Sequence, residues 1–157
     1  MSRDPVPDGD PFPAEIRDLG MRVREDLARL RLKWSYYREL FGSPENARLL
    51  TETARACFQM VEESFRHDIV LSLCRLSDPS RTLGGESPSL ATLVARCGDL
   101  PRAEDLLTAF QAACGPLRRY RHRPLGHNDP DAPISPREHL LPDVDPSQIE
   151  EILLLAG

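Results

Sequence analysis

Two long stretches of apolar residues at helical spacing, between positions 14 and 76, constrain the fold of this chain more than any other feature. In both stretches an apolar residue recurs every three or four positions, which places these residues on one face of an α-helix. The first stretch contains Ile16, Leu19, Val23, Leu27, Leu30, Trp34, Tyr37 and Phe41. The second contains Leu50, Ala54, Cys57, Val61, Phe65, Ile69, Leu73 and Leu76. The sequence therefore predicts two long helices, over 14–41 and 44–76, that pack along their whole length.

Serine or aspartate followed by proline marks several helix starts. The Ser or Asp side chain can accept a hydrogen bond from the first turn, and proline suits the first helical position. Ser43-Pro44 and Asp145-Pro146 begin the second and the final predicted helix, and a turn of helix is expected over 136–140. We also expect a loop over 77–88, a short helix over 89–96 and a helix from Pro101. Gly115-Pro116 is expected to kink or split that helix, because proline removes a backbone hydrogen bond.

The predicted fold is an all-α, antiparallel helical bundle with long first and second helices, since no segment shows the alternation of a strand. Residues 1–13 are predicted to be a disordered acidic tail, 14–129 the bundle, and 130–157 a proline-rich segment whose short helix packs on it. No apolar run approaches the roughly 20 residues that span a bilayer. No signal-peptide pattern is seen at the N-terminus. We therefore expect a cytoplasmic protein that does not bind a membrane.

The cysteines and the overall charge argue against two further classes of protein. The four cysteines form no Cys-x-x-Cys pair and lack the spacing of a zinc site, so neither a metal ion nor another cofactor is predicted. Each lies among apolar residues and is predicted to be reduced and buried: Cys57, Cys74, Cys97 and Cys114. The net charge of −5 argues against a protein that coats nucleic acid in general.

Positive charge is nevertheless concentrated at one place, over residues 118–123, which contain four arginines. His127 follows Arg121 by six positions. Histidine can accept or donate a proton near neutral pH, and arginine can hold two phosphate oxygens at once. Such a pair could cleave RNA without a metal ion, with histidine moving a proton and arginine stabilising charge on the phosphorus. A two-fold dimer would bring together the two histidines that both proton transfers require.

The segment from Arg121 to Asp129 resembles the Arg-x4–6-His motif of HEPN domains. Two earlier elements strengthen the likeness. Arg75-Leu76-Ser77-Asp78 stands at a predicted helix end, and Ser89-Leu90 stands at a predicted helix start. Together they resemble the HEPN-like family of the second type-U abortive-infection protein, and the helical layout extends the likeness over 14–129.

This resemblance implies an HEPN-like bundle, a homodimer with its Arg and His pairs near the two-fold axis, and metal-independent cleavage of RNA in phage defence or as a toxin. The implied roles are catalysis for Arg121 and His127, substrate contact for Arg118, Arg123 and Asn128, and support for Arg75, Asp78 and Asp129. The chain departs from the common motif at His122, where asparagine is frequent, and at Gly126. Asp129 also stands where some HEPN toxins carry a tyrosine, so silencing by modification of that tyrosine is not implied. An antitoxin or another regulatory partner is left open.

Other readings of the same residues stay open. Residues 118–123 could be a solvated helix end, His127 a turn residue, and Arg75 and Asp78 a local ion pair that fixes a turn. A catalytically silent module that binds RNA or a protein is the main alternative function, and a structural dimerisation protein is a third. Residues with simpler expected roles are the surface histidines His67 and His139 and the core or dimer aromatics Trp34, Tyr36 and Tyr37.

Overall fold

The computed structural model describes residues 12–82, 85–98, 100–121 and 146–156. They form a helical bundle, which confirms the predicted fold class. The helices are α1 (Ala14–Phe41), α2 (Pro44–Leu76), α3 (Leu90–Cys97), α4 (Pro101–Arg121) and α5 (Pro146–Leu155). The bounds of α1 and α2 agree with those predicted, and α5 begins at Pro146 as predicted. The loop after α2 also holds a two-residue antiparallel ladder that was not predicted, formed by β1 (Arg81–Thr82) and β2 (Gly85–Glu86).

The joint between α1 and α2 is short and closed by a side-chain cap. The hydroxyl of Ser43 accepts a hydrogen bond from the backbone N–H of Asn46 at 3.1 Å, and Pro44 occupies the first turn. This arrangement satisfies one of the N–H groups that a helix start leaves without an intrahelical acceptor. The Ser-Pro pattern therefore marks the helix start that it predicted.

Polar contacts show that α1 and α2 run antiparallel. Lys33 forms an ion pair with Asp68, and the hydroxyl of Tyr37 donates to the carboxylate of Glu62 at 3.4 Å. As the residue numbers increase along α1, those of the contacting residues on α2 decrease, so the two helices run in opposite directions. Burial of its phenol and the neighbouring carboxylate of Glu62 raise the pKa of Tyr37.

The core is built from one face of each long helix, closed by α4 and α5. Leu73, Cys74 and Cys114 are wholly inaccessible to solvent, and Phe110 and Leu30 are 1% exposed. The remaining buried apolar residues of the core are Val23, Trp34, Ile69, Val70, Leu76, Leu117, Ile149, Ile152 and Leu153. The side chains of α5 thus belong to the same core as those of α1, α2 and α4.

Only the second part of α2 is buried, which departs from the prediction. Residues 51–57 are all exposed, so the prediction that Cys57 is buried is wrong. The backbone leaves helical geometry at Ala54, with φ −160° and ψ 70°. Just before it, the hydroxyls of Thr51 and Thr53 donate to carbonyls four residues earlier, at 2.7 and 2.8 Å. Such bonds compete with the backbone and often bend helices.

Helix α4 passes through Gly115 and Pro116 without the split that was one predicted outcome. Proline at position 116 removes the hydrogen bond to the carbonyl of residue 112. Buried Cys114 and Leu117 lie on either side of this pair, so packing against the core offsets the lost bond. The helix therefore continues to Arg121.

Two arginines of α1 bind α5. Arg31 donates to the backbone carbonyl of Leu153 at 3.2 Å, and Arg38 forms an ion pair with Glu150. Arg31 thereby satisfies a carbonyl in the last turn of α5, where intrahelical partners are missing. The later arginine, Arg38, contacts the earlier residue of α5, so α5 runs antiparallel to α1. Within the described ranges, no helix is both long and apolar enough to cross a membrane.

Candidate functional site

The Arg75-Leu76-Ser77-Asp78 element forms the end of α2. Ser77 is the capping residue and is completely buried, and its N–H donates to the carbonyl of Leu73 at 3.0 Å. Its hydroxyl donates to the carbonyl of Cys74, also at 3.0 Å. The backbone N–H of Asp78 donates to the carbonyl of Arg75 at 3.2 Å, which closes the turn after α2.

Three side chains of α4 meet this helix end. The amide of Gln111 donates to the carbonyl of Ser77 at 3.3 Å, and the guanidinium of Arg118 donates to the same oxygen at 2.5 Å. The Nε of Arg118 is buried and has no hydrogen-bond partner among the described residues. Cys114 lies between them and is hydrogen-bonded to the Ser77 side chain. Ser77, Gln111, Cys114 and Arg118 together are called the Ser77 clamp below.

Burial controls the chemistry of the thiol in the Ser77 clamp. Loss of solvent raises the pKa of Cys114 from 9.0 to about 12, although its hydrogen bond to Ser77 acts in the opposite direction. A thiol with such a pKa is protonated at neutral pH, and a protonated thiol is a poor nucleophile. Cys114 therefore has a structural place in the site and not a reactive one.

The Ser89-Leu90 element starts α3 and is tied to the loop that follows α2. The hydroxyl of Ser89 accepts from the N–H of Thr92 at 3.3 Å. The hydroxyl of Thr92 lies 2.5 Å from the carbonyl of Ser87 and 3.4 Å from that of Ser80. Ser89 and Thr92 are both buried, so these bonds satisfy polar groups that would be costly to leave unpaired. The two sequence elements thus join the end of α2 to the start of α3.

The structure describes part of the predicted site. The side chain of Arg118, on α4, is half-buried against the end of α2. Arg75 is exposed and Asp78 is buried. Arg121 is the last residue of α4, and its backbone alone is described. Four predicted site residues lie outside the described residues: Arg123, His127, Asn128 and Asp129.

The site predicted from the sequence did not include Ser77, Gln111 or Cys114. A signal for Gln111 and Cys114 does exist, since they and Arg118 are three and four positions apart and so share one face of a helix. Among the residues with described positions, no group of three or more His, Cys, Asp or Glu side chains could hold a metal ion.

The long antiparallel helices, with sequence elements at the end of α2, the start of α3 and the end of α4, define an HEPN-like helical protein. The model of the AbiU2 family of HEPN domains matches residues 15–155, and this chain belongs to that family. The match extends through α5, in agreement with the shared core. Neither a curated protein nor a solved structure was found to match the chain.

Proposed function

We propose that this protein is a metal-independent endoribonuclease of the HEPN type that acts in phage defence, by abortive infection, or as a toxin. The observation that carries the proposal is membership of the AbiU2 family together with the Arg-x5-His spacing of Arg121 and His127. Arg121 ends α4 one helical turn after Arg118, which is bound to the buried end of α2. A helix that is attached to the end of α2 through Arg118 therefore precedes the segment that carries the histidine in the sequence.

In the proposed mechanism His127 moves the proton and Arg121 stabilises the developing charge. The 2′-hydroxyl of the ribose attacks the adjacent phosphorus, the 5′ oxygen of the next nucleotide leaves, and a 2′,3′-cyclic phosphate forms. His127 accepts the 2′-hydroxyl proton or donates a proton to the leaving oxygen. Arg121 binds the non-bridging oxygens as charge builds. Arg123 and Asn128 contact the substrate, and Asp129 supports the loop or orients the histidine.

Both proton transfers require two histidines, so the proposed active unit is a homodimer that places His127 of each copy in one cleft. The described surface offers apolar area for such contact. Leu49 and Met60 on α2 are 61% and 68% exposed, and Met21, Leu32 and Tyr36 on α1 are also exposed. Light scattering at micromolar concentration should give the dimer mass. A clean monomer mass would argue against the shared site.

The proposal is tested by cleavage of a labelled single-stranded RNA with His127→Ala, Arg121→Ala and His122→Ala. Loss of a positioned proton carrier costs on the order of 10²–10⁴ in rate, so His127→Ala should be inactive in practice. Arg121→Ala should cleave RNA more slowly. The salt dependence of its RNA binding should also decrease by about one ion, because one phosphate contact is lost. His122→Ala is the control and should retain most of the activity.

Circular dichroism of each variant shows that the fold is intact, and EDTA should leave cleavage by the parent protein unchanged. If His127→Ala cuts at the parent rate, the protein is a binding module and not a nuclease of this kind. If EDTA abolishes cleavage and a divalent ion restores it, the proposed chemistry is wrong.

A further inference from the structure

We propose that Gln111, Cys114 and Arg118 are positioning residues, which bind the cap of α2 and thereby fix the last turn of α4 that bears Arg121. The inference rests on the proposed function, because it is the site at Arg121 that these residues would position. It gives Arg118 a different role from the RNA contact expected from the sequence.

The Ser77 clamp joins two helices through one residue. The carbonyl of Ser77 accepts from both Gln111 and Arg118, and its hydroxyl side meets Cys114. A capping residue at a helix C-terminus leaves its carbonyl without an intrahelical donor, and a cation there also favours the helix dipole. Ser77 is wholly buried, so water cannot replace these donors. The clamp therefore holds α4 in one register against the end of α2.

While it is bound to the Ser77 carbonyl, Arg118 is poorly placed to bind RNA. One terminal nitrogen is committed to the Ser77 carbonyl, and the Nε is enclosed by the protein. If the guanidinium turned outward to a phosphate, it would leave a buried carbonyl with only the longer bond from Gln111. Unsatisfied buried acceptors are unfavourable, so the inward position is preferred.

The position of Pro116 explains why α4 needs this attachment near its end. Pro116 removes a backbone bond from the helix, and Arg118 attaches the turn that follows it. Gln111 and Cys114 attach the turn that precedes it. With contacts on both sides of the proline, the last turn keeps a defined direction. A catalytic group displaced by about 1 Å can lose up to about a hundredfold in rate, so this direction matters for Arg121.

The test compares Arg118→Ala with Arg118→Lys and Arg102→Ala. Arg102 is an exposed arginine in the first turn of α4, so Arg102→Ala removes the same charge from the same helix away from the Ser77 clamp. Arg118→Ala should lower kcat by about ten- to a hundredfold while RNA affinity and its salt dependence match those of Arg102→Ala. Arg118→Lys should restore part of the kcat, because its ammonium can still donate to the Ser77 carbonyl.

Hydrogen exchange provides a second readout that does not depend on activity. The backbone amides of the last turn of α4 should lose protection in Arg118→Ala, recover part of it in Arg118→Lys, and keep parent protection in Arg102→Ala. Unchanged protection in Arg118→Ala would overturn the proposal. So would an unchanged kcat with weaker RNA binding and a salt dependence reduced by about one ion, which would make Arg118 a phosphate contact.

The exchange measurement also separates failure of this inference from failure of the proposed function. If the parent protein does not cleave RNA but Arg118→Ala loosens the last turn, the Ser77 clamp is supported and the nuclease proposal is not. If the parent cleaves RNA and Arg118→Ala changes neither kcat nor protection, the nuclease stands and the clamp is refuted.

Discussion

Replacing Leu73 by alanine tests the unequal burial of the two parts of α2. Leu73 is completely buried, and removal of a fully buried leucine side chain costs about 3 kcal/mol, within the 2–5 kcal/mol seen for such changes. For a domain of this size, about 3 kcal/mol lowers Tm by roughly 6–12 °C. Leu49 lies on the same helix but is 61% exposed, so Leu49→Ala should change stability by less than about 0.5 kcal/mol. Alanine is also the better helix former, which limits any loss.

The two variants should be compared by urea unfolding followed by circular dichroism, with thermal melts of the same samples. Both remove the same atoms from the same helix, so the difference measures burial alone. The reasoning would be refuted if Leu73→Ala cost less than about 1 kcal/mol. A loss at Leu49 that depends on protein concentration would instead show that this exposed surface is covered by a second copy of the chain.

Two further predictions concern α3 and Cys114. Gly98 ends α3 with φ 86° and ψ −156°, a backbone conformation open mainly to glycine. Gly98→Ala should therefore lower the free energy of unfolding by about 1–3 kcal/mol in urea. Gly115→Ala is the control and should cause no such loss, because Gly115 is helical and has open space around the added carbon. A loss in both variants, or in neither, would contradict this account. Because folded Cys114 has a pKa of about 12 against 9.0 ordinarily, the unfolded chain loses its proton first, and stability should fall between pH 9 and 12 by up to about 1.4 kcal/mol per unit. Cys114→Ser should show a shallower fall over that range, and parallel curves for parent and variant would refute the assignment.

The long helices could be predicted from the sequence because their signals are local. The period of the apolar residues and the Ser43-Pro44 cap depend only on neighbours along the chain, and both agree with the structure. The error at Cys57 has a different cause. Periodicity shows which residues share a face, but it does not show whether another element covers that face. The first part of α2 keeps the pattern and still lies in solvent.

Prediction of the site was limited for a related reason. Pro116 was expected to kink or split α4 because the loss of a backbone bond is visible in the sequence, whereas the buried neighbours that offset it are not. Likewise, sequence alone cannot show that Ser77, 41 positions before Arg118, offers a buried carbonyl to its guanidinium, and the predicted RNA contact of Arg118 stays a prediction. The roles of His127 and Arg123 rest on the family motif and stay predictions.

The contact between Arg31 and Leu153 spans 122 positions, and it has a consequence for synthesis of the protein. Ile149 and Ile152 from α5 complete a core whose other walls come from the first 121 residues. During translation those walls leave the ribosome before α5 does, so we expect a nascent chain to expose an apolar cleft until α5 emerges. Closing so long a loop also slows folding. We therefore expect chaperones that recognise exposed apolar surface to bind the growing chain and to be released when α5 fills the cleft.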